Sequence, residues 1–554
     1  MRRCSGSRSI CLPQWTTCQV AKLIAYTLVL LRPTALHAHE QTLDAFLKAR
    51  RATLAAHSPS APPATAKTPQ CRLTLKLVDS GTGAALAGLV RVTDLATEKA
   101  VLLSETVPRE EGWHSIAPAT TVLVPRGLLR VEALHGLEMT QAEAKIDTRM
   151  SETRTVELSL TRFYNTRERG WRSGNTHVHL SHMTRAEADR YLRLVSRTDA
   201  CDILFVSNLR RLPDEKDYIS NEYDPESLAA LSGDGVLLTH GEEHRHNFGR
   251  GGEGFGHVML LDIVKLIRPV SIGPGIMFSG TDGIPLQRGI LEARQDGATI
   301  VWCHNTLGFE DIPNWVTGLV HAQNIFDGGH RGSYKDTFYR YLNLGLRVPF
   351  STGTDWTVYD FHRAYVPVEG TLTSRSWLAG LQRGASFITN GPLLEFHAAE
   401  KSSGDTVQLE LAHSVKVEGR GVGRIDFEGI ELIYNGKVIE SQPSRAVDGH
   451  FEASIATAVQ IPGPGWLALR IPLETPQGEL GRPLFAHTSP IYFEVTGKRV
   501  FDPAVANELI QEINDGLKVI EEKAVFANES ERRAVDDVHR RGIAELRRKL
   551  KQAQ

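Results

Sequence analysis

From about Tyr164 to Pro392, short β-branched runs alternate with helical stretches such as RAEADRYLRLVSR (185–197) and DTFYRYLNLG (336–345). No other feature narrows the fold as much. Strand and helix in alternation require crossover connections, and so imply a parallel sheet or barrel. The apolar runs also end in a telling way: DILFVS at Asn208, VLLTHG at Glu242-Glu243, TIVWC at His304 and VPFSTGT at Asp355. In barrels and open α/β sheets the chemistry sits at the carboxyl ends of the strands.

An earlier run closes on Gly174-Asn175-Thr176-His177-Val178-His179. Histidines at i and i+2 of a strand point to the same side and can grip one cation. With His177 and His179 go Glu243 in GEE, His257 in GH, His304 in CHN and Asp355 in GTD, six candidate ligands in all. Imidazoles mixed with carboxylates suit zinc, manganese or iron, whereas a set without cysteine suits an iron–sulfur centre poorly. A carboxylate that joins two metals holds them about 3.5–4 Å apart and so helps them activate water.

The flanks follow other periods. Arg2, Arg3, Arg8 and Lys22 precede an apolar run from Leu23 to Leu31, and Ala35-Leu36-His37-Ala38 follows. Basic, apolar and small residues in that order read as a secretory signal over 1–38. Residues 39–69 combine a helical stretch, Gln41 to about His57, with a linker carrying Pro59, Pro62, Pro63 and Pro69. From Arg72, Leu73, Leu75 and Leu77 alternate with polar neighbours, and GLVRVTD (88–94), TTVLVP (120–125) and LLRVEAL (128–134) continue in that style. This predicts a small β-sandwich over 70–162. A mixed α/β domain over 163–395 follows, then a second sandwich over 396–498 with a hairpin at ELIY-NG-KVIE (431–440), where Asn-Gly suits a type I′ turn. Asp502 and Pro503 open the first of two helices over 499–554.

The 554 residues carry 63 Lys and Arg against 65 Asp and Glu, so no charge excess points to nucleic acid. Beyond the signal only Cys71, Cys201 and Cys303 remain, odd in number and far apart, which writes no disulfide framework. Cys303 reads as a packing residue on the face opposite His304.

The order of the candidate ligands resembles the polymerase and histidinol phosphatase (PHP) metallohydrolases. These open with H-x-H and continue with a T-D-H strand end, a G-x-E, a G-H, an A-H-P and a G-S-D-x-H. The chain is most similar to their carbaryl-hydrolase branch (CehA/McbA type). The residues that carry this are GWRSGNTHVH (170–179), GEEHRH…GHVML (241–260), YRYLNLGLRVPFSTGTDW (339–356), HRAYV (362–366) and WLAGLQRGASFITNGPLLEF (377–396).

The resemblance implies a multidomain chain: a distorted (β/α)₇ barrel flanked by two small β-sandwiches, with C-terminal helices. It implies one metal on His177, His179, Glu243 and Asp355, and a second on His257 and His304, with Glu243 bridging. Two departures matter. The T-D-H strand end reads Ser207-Asn208-Leu209, and the G-S-D-x-H reads Gly353-Thr354-Asp355-Trp356-Thr357. Both lose a histidine that helps hold the family's third metal, so a two-metal or one-metal centre is expected. His182, His244, His246 and His362 are candidates to compensate, or loop residues that support the ligands. Arg363 is a candidate for a substrate anion, or a salt-bridge residue at the rim.

The implied function is an exported, periplasmic or extracellular hydrolase of an ester, carbamate or phosphoester in a small-molecule or glycan-like substrate. No nucleic-acid partner and no stable membrane insertion after signal removal are expected, and no feature sets an oligomeric state. The alternative is an inactive barrel kept as an exported binding or scaffold protein.

Overall fold

Leu73, Leu75 and Leu77 are buried and their neighbours Arg72 and Lys76 exposed along the strand Gln70–Asp79, which is what period-two alternation against a one-sided core produces. This computed structural model describes residues 69–210, 218–248, 254–304, 308–329, 334 and 338–553. The expected secretory signal, and the helix and linker up to residue 68, lie outside them. Gln70–Asp79 pairs with Thr153–Leu160 and Thr120–Pro125. A second sheet contains Gly88–Asp94, Leu128–Leu134 and Ala142–Asp147. Leu73, Leu75, Val92, Val122, Val131 and Leu158 share one core between the two.

The central sheet carries the candidate ligands. Its strands are β1 (Trp171–Val178), β2 (Ile203–Asn208), β3 (Leu237–His246), β4 (Gly256–Leu261), β5 (Thr299–Trp302), β6 (Ala322–Asn324), β7 (Phe350–Ser351), β8 (Arg363–Pro367) and β9 (Phe387–Thr389). The spatial order is β7-β6-β5-β4-β3-β2-β1-β8-β9. Neighbours β1 to β3 run parallel, as do β5 to β7, while β4 is antiparallel to both β3 and β5. Because β4 is reversed, the end it presents beside the carboxyl ends of β3 and β5 is its amino end, where His257 stands opposite Arg245. Strand pairing leaves β7 and β1 unjoined. Backbone bonds nevertheless tie the segment after β7 to the end of β1: Thr354 N and Asp355 N donate to the carbonyl of His177 at 3.0 and 2.8 Å.

Helices cover the sheet where the sequence is amphipathic. Helix α1 (Arg185–Thr198) starts at a capping box made by Thr184 and Glu187 and buries Ala188, Leu192 and Val195. Helix α2 (Leu286–Gln295) buries Leu286, Ile290 and Ala293. It needs Gly289 on that face, because a Cβ there would collide with the imidazole of His244. Helix α3 (Ser374–Gln382) brings Trp377 into the space that a side chain at Gly174 of β1 would occupy.

Strand β9 continues into the C-terminal half. It pairs with Ala486–Thr488, which joins Gly465–Arg470 and Gly429–Tyr434, so that one 16-stranded sheet spans both regions among the described residues. Residues 395 and 396, between which a division is expected, lie within the strand Leu393–Ala398 of a separate five-stranded sheet, where it pairs with His413–Gly423. The 431–440 hairpin forms, with Asn435 at φ 48° and Gly436 at φ 86°, both positive as a type I′ turn requires. Asp502 caps helix α4 (Pro503–Lys523) by accepting from Ala504 N, and helix α5 (Glu529–Ala553) follows. Both dock on the central region, through Glu512 to Arg340 at 2.6 Å and Arg541 to the side chain of Gln287 at 2.6 Å.

Candidate metal centre

The ends of β1, β3 and β5, the start of β4 and the loop after β7 bring His177, His179, Glu243, His257, His304 and Asp355 into one buried cluster. On β3, alternation sends Glu243 and Arg245 to this side. It sends Glu242, His244 and His246 to the other, where His244 pairs with Glu242 (2.9 Å) and His246 with Asp282 (3.2 Å). His244 and His246 thus take no part in the cluster.

The ligand atoms fall into two sets that meet at Glu243. In the first, His177 Nε2 lies 3.0 Å from His179 Nε2 and 3.2 Å from Asp355 Oδ1, and His179 Nε2 lies 3.1 Å from Glu243 Oε2. In the second, His257 Nδ1 lies 3.1 Å and His304 Nε2 3.8 Å from Glu243 Oε1. Each carboxylate oxygen of Glu243 faces a different set. Tetrahedral ligands about 2.0–2.1 Å from a zinc ion stand roughly 3.3 Å apart, so the spacings within the sets are those of a ligand cage.

The other ring nitrogens explain the orientation. His179 Nδ1 donates to the backbone carbonyl of Ser207 at 2.9 Å. His177 Nδ1 and His304 Nδ1 donate to the two oxygens of one buried carboxylate, Asp327, at 2.9 and 3.0 Å. With Nδ1 protonated, all three rings turn an Nε2 lone pair inward. Two lone pairs at 3.0 Å cannot bond to each other, so His177 and His179 require a proton or a cation between them. Asp355 Oδ2 is also buried and makes no hydrogen bond among the described residues. These residues fit a divalent cation.

The electrostatics agree. Burial works against charge on His177, yet Cys303, Asp355 and Asp327 hold its affinity for a proton well above the usual range. Burial opposes ionisation of Glu243, but Arg245 and the surrounding histidines pull its carboxyl well below the ordinary value. Burial, with Arg245, pushes His257 down to about 3, which keeps that imidazole neutral as a ligand must be. Asp355 adopts φ 62°, a left-handed conformation that a non-glycine residue holds at some cost.

Two residues here lie outside the six. Asp327 follows β6, a strand of three residues, Ala322-Gln323-Asn324, too short and polar to register as an apolar run. Cys303, read from the sequence as packing on the opposite face, has its Sγ 3.8 Å from His177 Nδ1. Strand β5 stops at Trp302, so alternation no longer sets the direction of Cys303.

The weaker candidates lie elsewhere. His182 is exposed in the loop after β1. His362 is buried against Asp360, with Nδ1 3.1 Å from Oδ2. The guanidinium of Arg363 is buried and donates to the carbonyls of Phe361 and Asp199, at the edge of a cavity of about 720 Å³ that none of the six ligands lines. Asn208 binds His240 at 2.7 Å, and Leu209 is buried with its backbone tied to Asn221.

No family model and no curated protein matches the chain. Among solved structures, a crystal structure of a beta-glucuronidase from Parabacteroides merdae is similar over 74% of this chain and 61% of that one, at 11% identity and a TM-score of 0.15. The chain spans less than two thirds of that protein, and so slight a likeness bears on neither fold nor function.

Proposed function

We propose that the chain is an exported PHP-type metallohydrolase, built on a distorted (β/α)₇ barrel, whose binuclear centre serves the cleavage of an ester, carbamate or phosphoester. The observation that carries this is the junction of two ligand sets at Glu243, one with His177, His179 and Asp355 and the other with His257 and His304. Divalent zinc, manganese or iron suits such donors and supplies Lewis acidity toward a carbonyl or phosphoryl oxygen and toward water.

The protein's own groups have separate tasks. Arg245, 3.8 Å from Glu243 Oε1, offsets the negative charge gathered at the shared carboxylate. The Ser207 carbonyl and Asp327 hold three rings in the tautomer that a ligand needs. Asp355 Oδ2, which makes no hydrogen bond among the described residues, would take the proton that an attacking water gives up. Tyr218 and Trp356 pack beside the ring of His179 and keep that flank apolar. The basic, apolar and small residues of 1–38 support export.

A panel of aryl esters, carbamates and phosphate mono- and diesters, assayed with Mn²⁺ or Zn²⁺, tests the reading. Turnover of one class that disappears in His177→Ala is expected. Full metal loading without turnover of any class would favour an exported binding or scaffold protein.

A further inference from the structure

We infer that Asp327 is a positioning residue that supports the two ligand sets unequally, so that its loss as an acceptor empties the set of His304 before that of His177. The inference rests on the metal-centre reading above. Among the described residues, Asp327 Oδ2 receives two donors, His177 Nδ1 at 2.9 Å and Asn324 Nδ2 at 3.1 Å, whereas Oδ1 receives one, His304 Nδ1 at 3.0 Å. Asn324 is itself oriented, because its Oδ1 accepts from the Thr176 hydroxyl at 2.9 Å. One buried carboxylate therefore anchors one imidazole in each set.

The substitution Asp327→Asn exposes the asymmetry. An amide offers one acceptor oxygen and one donor group where the carboxylate offered two acceptors. Turning the oxygen toward His177 and Asn324 keeps two hydrogen bonds; the opposite choice keeps one. The amide NH₂ then faces His304 Nδ1, and the favourable response is for that nitrogen to become the acceptor. The ring proton of His304 moves to Nε2, the atom that faces Glu243, where it blocks the lone pair. His177 keeps its tautomer, and His179 is anchored separately on the Ser207 carbonyl.

The test is a titration of metal-free full-length protein with Zn²⁺, followed by calorimetry and by metal analysis after gel filtration. The wild type should take two equivalents. Asp327→Asn should take one with unchanged affinity and bind the second about 10–100-fold more weakly, the usual scale for an outer-sphere partner of a metal-bound histidine. Equal affinities in variant and wild type, or loss of both sites together, would overturn the inference. A wild type that binds no Zn²⁺ at all would instead overturn the metal-centre reading. Should the variant not fold, histidine-selective ¹⁵N NMR of the Zn²⁺-loaded wild type decides: His177 and His304 are expected as Nδ1–H tautomers, and an Nε2–H tautomer at either contradicts the role.

Discussion

His177 and His179 face one another through their Nε2 atoms across 3.0 Å, while the Nδ1 of each is committed to an acceptor outside the pair. The contact is adverse unless positive charge sits within it. Removing cations with a chelator should therefore destabilise the protein, and adding them back should restore it. A cation at 100 times its dissociation constant contributes about 2.7 kcal/mol for each site. Thermal unfolding with EDTA, and again with excess Zn²⁺, checks this; coincident transitions would count against occupied sites.

Gly353 gives a way to disturb the centre without touching a ligand. A Cβ there would lie 2.6 Å from His177 Cβ and 2.7 Å from His177 N, and neither atom can move away freely. Gly353→Ala should cost about 1–3 kcal/mol through overpacking. It should also lower metal content, because the displaced segment carries Asp355, whose backbone N–H bonds the His177 carbonyl at 2.8 Å. Metal analysis beside denaturant unfolding reads both effects.

Arg109, in the N-terminal sandwich, reaches Asp199 at the end of helix α1 with two parallel hydrogen bonds of 2.8 and 2.9 Å, both side chains being buried. Arg109→Ala strands a buried carboxylate and should cost about 3–5 kcal/mol. Arg109→Met combined with Asp199→Leu removes both charges and should cost less. Urea unfolding of the two variants distinguishes a stranded charge from lost packing.

Asp311 provides a pH dependence away from the ligands. Burial pushes its carboxyl from the ordinary 3.8 up to about 7, against the lowering effect of the Tyr341 hydroxyl, which donates to it at 2.6 Å. Between those values the unfolded chain has released the proton that the folded protein keeps. The stability tied to neutral Asp311 is therefore complete at the acid end and lost as pH rises through about 7, with a slope of up to about 1.4 kcal/mol per pH unit. Asp311→Asn retains an acceptor for Tyr341 without a charge. Its stability relative to the wild type should rise from pH 5 to pH 8, as followed by denaturant midpoints; a constant difference would argue against the assignment. Glu310, also raised to about 7 by burial, leaves a residual slope in the variant.

The clustering of the six candidate ligands is legible where local rules reach. A histidine pair at i and i+2 declares its own face, and a carboxylate or histidine that closes an apolar run marks a strand end. Asn435-Gly436 likewise announces its hairpin, since two successive positive φ values suit few other residues. Asp327 was not legible, because a polar three-residue strand leaves no apolar run to end. Cys303 packs in the core as its sequence context implies, but its thiol lies toward His177, because β5 ceases at Trp302 and alternation does not extend to residue 303. The union of central and C-terminal sheets depends on Phe387–Thr389 pairing with Ala486–Thr488, a register between distant segments that no local pattern encodes.

Metal content measured by mass spectrometry on the purified protein tests the central claim most directly. Two equivalents of zinc, manganese or iron are expected in the wild type, about one in His304→Ala, and a further loss when His177→Ala is added. Folded wild-type protein that holds no divalent metal, even after incubation with Zn²⁺ and Mn²⁺, would contradict it.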